Sequence, residues 1–160
     1  MRWGDTELKT LVCDVDGVLT DGRYYYGLEN GLCFKAFHCN DSVAVRLAKG
    51  AGLKVVFVTS GSEASAFISR KRAEELGVLL ARYPYGCKED VLAEEKIDPA
   101  AMVYIGDCVD DVPLLEMAAV SFVPAWTLEC VAKHATYVLK RRGGEGCLLE
   151  LLETLGLFNE

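Results

Sequence analysis

Short apolar runs alternate with stretches of helical periodicity along most of the chain. The runs are rich in β-branched residues and end in polar residues or glycine, which is typical of strands. The clearest three are "TLVCDV" (10–15), "LKVVFVTS" (53–60) and "AAMVYIGD" (100–107). Apolar residues at helical spacing occur in "SEASAFISRKRAEELG" (62–77) and "CKEDVLAEEKI" (87–97). This order predicts an α/β fold of three layers, in which helices cover both faces of a parallel sheet. Two shorter strands are expected over "AVSFVP" (119–124) and "ATYVLK" (135–140).

One segment interrupts the alternation directly after the first strand. Residues Asp21–Phe37 contain two aromatic and apolar stretches around "LENG", and Asn30-Gly31 is a turn signal. We therefore expect a β-hairpin inserted between the first strand and the first helix. Its consecutive tyrosines, Tyr24, Tyr25 and Tyr26, are covered either by a partner subunit or by the hairpin folding back on its own sheet.

The composition limits the class of protein. The chain has 160 residues, which suits one domain over 1–160, and its net charge of −7 argues against a nucleic acid or an acidic membrane as a partner. Seven cysteines without a C-x-x-C pair predict reduced thiols and a cytoplasmic protein. No stretch is long and apolar enough for a membrane span, and "MRWGDTELKT" lacks the core of a signal peptide. We expect Trp3 to lie on a loose terminus.

Polar side chains stand at the carboxyl ends of the first two predicted strands, where parallel sheets bind ligands. The first strand ends in Asp14 and Asp16, a pair that suits a hard divalent cation and that also occurs in ordinary turns. The second strand ends in Thr59 or Ser60, followed by Gly61, whose backbone amide can face a phosphate. These two ends together suggest a site for an anion and a cation.

Two further segments carry charge at the same expected edge of the sheet. Lys88 stands at the start of a helix, an unfavourable end for a cation unless an anion faces it. Asp107 directly follows a strand, whereas Asp110 and Asp111 stand where the next helix begins and could cap it. Acid, hydroxyl, lysine and acid in this order predict a functional site, because chance does not readily place all four in register.

These motifs resemble those of a known superfamily. "DVDGVLTDG", the Thr59-Ser60 pair, Lys88 and "GDCVDD" are similar to the four motifs of the haloacid dehalogenase-like (HAD) phosphatases. The hairpin, "FKAF", "RAEELG" and "GGEG" resemble its capless branch, the 3-deoxy-D-manno-octulosonate 8-phosphate phosphatases. The match runs from about Leu11 to Leu152. It implies a Rossmann-like fold without a large cap domain, and a homotetramer in which neighbouring subunits close the site.

The resemblance implies a phosphatase that acts on a small phosphorylated sugar acid. Asp14 would be the nucleophile and form an aspartyl-phosphate, and Asp16 would protonate the leaving oxygen and then activate water. The phosphate would bind the hydroxyl of Thr59 or Ser60, the amide of Gly61 and the ammonium of Lys88. The implied cofactor is Mg²⁺, held by Asp14, the carbonyl of Asp16, Asp107 and Asp111, the last of these through a water.

The chain also departs from the pattern of that family. It reads "TSGSEASAF" where the family has a shorter "TGR" passage, so Thr59 and Ser60 both stay candidates for the motif hydroxyl. Glu145 and Leu149 stand where the octulosonate phosphatases commonly carry arginines, although Arg141 and Arg142 are near in sequence. The alternatives are a nonulosonate 9-phosphate or another sugar phosphate as substrate, phosphotransfer to a sugar, and a catalytically idle interaction subunit.

Overall fold

The computed structural model describes residues 1–26 and 33–158. The strands are β1 (Arg2–Trp3), β2 (Thr6–Glu7), β3 (Thr10–Asp14), β4 (Tyr25–Tyr26), β5 (Cys33–Phe34), β6 (Lys54–Thr59), β7 (Leu79–Arg82), β8 (Met102–Ile105), β9 (Val120–Val123) and β10 (Tyr137–Val138). The helices are α1 (Cys39–Gly50), α2 (Glu63–Leu76), α3 (Asp90–Glu94), α4 (Val112–Met117), α5 (Glu129–Ala132) and α6 (Cys147–Thr154). None of the helices in this part of the chain has the length and apolar character that crossing a bilayer requires.

Six strands form one parallel sheet in the order β10-β9-β8-β3-β6-β7. Side chains alternate between its two faces, so Leu11 and Cys13 of β3 pack in one core and Val12 packs in the other. The first core contains residues of α1, α2 and α6, and the second contains residues of α3, α4 and α5. The predicted three-layer α/β fold is therefore confirmed.

The parallel register brings the ends of distant strands to one edge. Asp14 pairs with Val58 of β6, and Cys13 pairs with Ile105 of β8. The residues that follow these strands consequently leave the sheet side by side. This edge carries the candidate site.

The insertion after β3 is a short antiparallel hairpin, as predicted. Tyr25 pairs with Phe34, and their rings stack with centroids 5.1 Å apart. The expected turn at Asn30-Gly31 lies outside the described residues. Tyr24, Tyr25 and Tyr26 are all exposed in the isolated chain, and Tyr26 is the most exposed at 75%. Tyr26 is therefore largely open to a partner, whereas Tyr24 and Tyr25 are more than half covered within the chain.

Two local expectations need correction. Trp3 does not lie on a loose terminus, because β1 pairs with β2 and the indole packs edge-on against the ring of Tyr137. The centres of these two rings are 5.6 Å apart. The helix expected over 87–97 is shorter and comprises only Asp90–Glu94. Strand β7 was not predicted from the pattern, because it lies at the sheet edge and its side chains are only partly buried.

Candidate active site

The chain turns sharply where β3 ends. Residues Val15–Leu19 form a tight loop, in which Asp16 has extended backbone angles and Gly17 has a φ of +93°. A φ of this sign favours glycine, because a side chain would clash with its own backbone. The turn leaves Asp14 buried at the strand end and Asp16 half-buried just beyond it.

Lys88 occupies the centre of the site. Its ammonium lies 2.8 Å from Oδ1 of Asp14 and 2.6 Å from Oδ1 of Asp111, and its side chain is 2% exposed. Burial acts to lower the pKa of Lys88, but the charges of Asp14 and Asp111 outweigh burial and raise it. Lys88 is therefore a fixed positive charge beside Asp14, and it lies in the turn before α3 and not, as expected, at the start of a helix.

Both carboxylate oxygens of Asp111 accept hydrogen bonds from neighbouring groups. Its Oδ1 accepts hydrogen bonds from Lys88 and from the hydroxyl of Tyr104 at 2.6 Å. Its Oδ2 accepts the backbone amides of Asp107 at 2.9 Å and Cys108 at 3.0 Å. Because both oxygens are occupied, Asp111 holds Lys88 and the Asp107 loop in place.

Asp107 differs from Asp111 in that one of its carboxylate oxygens accepts no hydrogen bond from the described residues. Its Oδ1 is buried without a hydrogen-bond partner in the described part of the chain. A Cβ on Gly17 would overlap the carboxylate of Asp107, so the glycine leaves room for it. Burial and the nearby charge of Asp111 raise the pKa of Asp107 to about 7. A buried carboxyl in this state is suited to a cation.

Asp14 is also surrounded by negative charge, from the carboxylates of Asp107 and Asp111. Burial and the charge of Asp111 raise its pKa well above the ordinary value, and the ammonium of Lys88 opposes them. The ligand atoms of Asp107, Cys108 and Asp111 lie within 4.8 Å of one another. The donor set around Asp14 and Asp107 consists mainly of carboxylate oxygens, which are the ligands that Mg²⁺ prefers. The residues present therefore fit a divalent ion.

Asp16 has its own buried cation, which sequence reasoning missed. The ammonium of Lys35 lies 2.6 Å from Oδ1 of Asp16, and its side chain is 0% exposed. The other oxygen of Asp16 accepts from the hydroxyls of Tyr24 at 3.3 Å and Ser65 at 3.4 Å. The available signal was the lysine within "FKAF", a charge between two aromatic residues at the end of the hairpin.

The loop after β6 closes a third side of the site. The amide of Gly61 donates to Oγ1 of Thr59 at 3.0 Å, and Thr59 is buried. The hydroxyl of Ser60 instead donates to Asp110. The two candidate hydroxyls therefore differ in their partners, and the Thr59 hydroxyl retains its own hydrogen for another acceptor.

Asp110 also has a larger role than the helix cap that its position suggested. Besides Ser60, it accepts the backbone amide of Gly86, and Oδ2 lies 3.9 Å from the ammonium of Lys88. It thus joins the loops that follow β6 and β7 beneath Lys88. A cavity of about 190 Å³ lies above these groups. Its lining includes Asp14, Asp16, Thr59, Ser60, Gly61, Lys88 and Asp110.

Comparison with known proteins places this geometry in a family. No protein-family model matches the chain. The 3-deoxy-D-manno-octulosonate 8-phosphate phosphatase KdsC of Haemophilus influenzae is 31% identical over 152 residues, which cover 92% of this chain and 82% of that protein. A solved structure from Vibrio cholerae, whose name assigns it to the same kind of phosphatase, is 30% identical with a TM-score of 0.86. The match covers 97% of this chain and 87% of that one.

A second solved structure contains ligands. The 3-deoxy-D-manno-octulosonate 8-phosphate phosphatase of Moraxella catarrhalis, in complex with a magnesium ion, a phosphate ion and KDO, is 25% identical with a TM-score of 0.84. The match covers 95% of this chain and 88% of that one. The identity and coverage of these relatives show that the chain belongs to the 3-deoxy-D-manno-octulosonate 8-phosphate phosphatase family of the HAD superfamily and is a phosphatase.

Proposed function

We propose that this chain hydrolyses the phosphate monoester of a sugar acid through an aspartyl-phosphate, with Mg²⁺ as cofactor. The observation that carries the proposal is the meeting of Asp14, Thr59 and Lys88 in one cavity of about 190 Å³. A cavity of this size accommodates a phosphate, and it combines a carboxylate nucleophile with donors for phosphate oxygens.

In the proposed reaction, an oxygen of Asp14 attacks phosphorus opposite the sugar oxygen. The phosphorus–oxygen bond to the sugar breaks, and a phosphoryl group is transferred to Asp14. Lys88 favours this step because its ammonium, 2.8 Å from Asp14, opposes the rise in the pKa of that carboxyl and faces the phosphate charge. The hydroxyl of Thr59 supplies a further donor beside the cavity, and the amide of Gly61, which was expected to face the phosphate, instead donates to Oγ1 of Thr59 and orients that hydroxyl.

Asp16 handles the protons in both halves of the reaction. It gives a proton to the leaving sugar oxygen and then accepts one from the water that attacks the aspartyl-phosphate. Inorganic phosphate leaves, and both carboxyl groups return to their initial states. Lys35, Tyr24 and Ser65 hold the carboxylate of Asp16 in a defined orientation for these transfers.

The metal residues that we propose are Asp14, Asp107 and the backbone carbonyl of Asp16. The unpartnered Oδ1 of Asp107 and the space beside Gly17 support this assignment. Asp111 supports the site by fixing the Asp107 loop, since hydrogen bonds already occupy both of its oxygens, and its expected contact with the metal through a water stays a prediction. When bound, Mg²⁺ neutralises phosphate charge beside the carboxylates.

The substrate that we propose first is 3-deoxy-D-manno-octulosonate 8-phosphate. Kinship with phosphatases of that name supports it, as does the KDO bound in the Moraxella catarrhalis relative. A nonulosonate 9-phosphate is a second candidate, because Glu145 and Leu149 replace the arginines that octulosonate phosphatases commonly carry. Both compounds combine a phosphate ester with a carboxylate.

A phosphate-release assay with a panel of sugar phosphates tests the proposal. We expect release that needs Mg²⁺, is abolished by Asp14→Asn and is fastest with an octulosonate or nonulosonate ester. Asp98→Asn is the matched control, because Asp98 is an exposed cap that accepts the amide of Ala100 and lines no part of the site. Release that persists in Asp14→Asn would contradict the nucleophile, and faster release from neutral hexose phosphates would contradict the sugar acid.

A further inference from the structure

A second and larger cavity adjoins the catalytic cluster on the side of Asp107. It has a volume of about 460 Å³, which is within the usual range for small-molecule sites. Gly17 and Asp107 line one end of it, so it opens directly beside the residues that follow β3 and β8. Trp126 and Arg142, from the loops after β9 and β10, line its other side.

Trp126 and Arg142 form a stacked pair. The guanidinium carbon of Arg142 lies 3.5 Å from the centre of the Trp126 ring. Stacking on an aromatic face holds the guanidinium in one plane and leaves the N–H groups at its edge available as donors. Trp126 has a φ of +73°, a strained conformation for a bulky residue, and is 80% exposed. Strain of this kind is concentrated at functional sites.

Two of the acids that line this cavity, Asp21 and Glu145, accept hydrogen bonds from neighbouring groups. Asp21 accepts the backbone amide of Arg23 at 3.0 Å and the hydroxyl of Tyr25 at 3.2 Å. Glu145 accepts the backbone amide of Arg142 at 3.2 Å, and Asp107 belongs to the catalytic cluster. Among the residues that the structure describes, no carboxylate lies within 4.0 Å of the Arg142 guanidinium.

We propose that Arg142, stacked on Trp126, binds the carboxylate of the sugar-acid substrate. The inference rests on the proposed function, because the phosphate of the same substrate would occupy the smaller cavity that contains Asp14 and Lys88. A planar guanidinium with a free edge matches a carboxylate in bidentate geometry.

The kinetic test compares two substrates, one with a C1 carboxylate and one in which a methyl ester removes that negative charge. They are 3-deoxy-D-manno-octulosonate 8-phosphate and its C1 methyl ester, and the variant is Arg142→Met, which keeps most of the apolar stem. We expect Arg142→Met to lower kcat/KM for the acid at least about tenfold, the effect of losing a charged hydrogen bond, and to leave the ester within about twofold. Arg46→Met is the control, since Arg46 is an exposed arginine of α1 that lines none of these cavities.

A binding test measures the fluorescence of Trp126 and does not depend on turnover. The only other tryptophan is Trp3, so Trp3→Phe leaves the fluorescence of Trp126 alone. We expect free 3-deoxy-D-manno-octulosonate to change this fluorescence saturably, and Trp3→Phe/Arg142→Met to weaken that binding at least about tenfold. D-Mannose, which has no carboxylate, should give no saturable change at the same concentrations.

Several outcomes would overturn the inference. One is an equal loss for acid and ester in Arg142→Met, and another is no loss for either. A change in native mass in Arg142→Met would assign the Trp126–Arg142 surface to a subunit interface instead. Failure of the proposed function differs from all of these, because the wild-type protein would then release no phosphate from either substrate while still binding the free sugar acid.

Discussion

Two buried lysines organise the acidic residues of this phosphatase. The side chains of Lys35 and Lys88 are almost completely removed from solvent, and each ammonium lies within 3 Å of an aspartate. Lysine is rarely buried unless it is paired, and removing one member of a buried pair leaves an uncompensated charge. The two lysines therefore fix the orientation of Asp16 and Asp14, respectively.

Replacing Lys35 tests its effect on Asp16. We expect Lys35→Met to lower kcat about 100-fold, because a misoriented Asp16 no longer delivers its proton, and to change KM much less. Steady-state kinetics with a sugar phosphate would measure both constants. Lys54→Met is the matched control, since Lys54 forms an exposed pair with Glu95 at 2.8 Å, and its activity should stay within about twofold. Similar losses in the two variants would refute a specific role for Lys35.

Gly17 gives a second prediction for a single residue. An alanine Cβ there would overlap the carboxylate of Asp107, so Gly17→Ala should displace Asp107 and lower kcat/KM about 100-fold. Gly52 has a similar φ of +86° with open space around it. Gly52→Ala should therefore lose about 1 kcal/mol of stability to backbone strain and keep its activity. Unaltered Mg²⁺-dependent activity in Gly17→Ala would argue against Asp107 as a metal residue.

Among the secondary-structure elements, α1 and α6 are joined by one buried carboxyl. Oδ1 of Asp41, in the first turn of α1, accepts the amide of Leu148 in the first turn of α6 at 3.1 Å. Burial raises the pKa of Asp41 to about 7, and the hydrogen bond from Leu148 opposes the rise. Its Oδ2 has no hydrogen-bond partner among the described residues. The contact between these helices is thus sensitive to protonation.

The pH dependence of stability tests this contact. Between about pH 4 and 7 the folded protein holds a proton on Asp41 that the unfolded chain has lost, so stability falls as pH rises through this range. Asp41→Asn removes that titration. Relative to the wild type, the variant should therefore gain up to about 1.4 kcal/mol per pH unit between pH 5 and 7.

Urea unfolding of both proteins in EDTA would measure this difference. Other groups, including Asp107, titrate in both proteins and cancel in the comparison. An amide nitrogen without a partner would lower the stability of Asp41→Asn by the same amount at every pH, so it would not alter the slope. A difference in unfolding free energy that is constant from pH 5 to pH 8 would contradict the prediction.

At the scale of the whole molecule, the hairpin exposes aromatic side chains that a monomer would leave in contact with water. Tyr26 and Phe34 are 75% and 57% exposed, and residues 1–26 and 33–158 form no large cap that covers the nearby site. Aromatic residues are enriched at subunit interfaces. We therefore expect the hairpins to lie between subunits, and the assembly that we propose is the homotetramer that the family resemblance implies.

Light scattering after size-exclusion chromatography tests the assembly. The native mass should be about four times the chain mass of 17.5 kDa, and Tyr26→Ser should lower it because an interface aromatic is lost. Phe67→Ser, a change at an exposed aromatic residue of α2, should leave the mass unchanged. A wild-type protein that elutes as a monomer with full activity would exclude the tetramer as a requirement for catalysis.

Several features of this molecule could be predicted before the structure. Strands β3, β6 and β8 are continuous apolar runs because both of their faces are buried, so their positions could be predicted from the sequence. Strand β7 could not be predicted, since an edge strand with half-exposed side chains has no such run. Trp3 was misplaced because the pairing of β1 with β2 and the contact with Tyr137 involve no local pattern.

The sequence by itself determined the α/β class and predicted that Asp14, one hydroxyl of the Thr59-Ser60 pair and Asp107 lie together, because parallel strands end at a common edge. Only the tertiary structure decided which cation meets which acid. Lys35 reaches Asp16 through the hairpin, and Arg142 reaches Trp126 through two separate loops. Such pairings depend on how loops pack in three dimensions, and the periodicity of a chain carries information about its strands and helices but none about the distance between two loops.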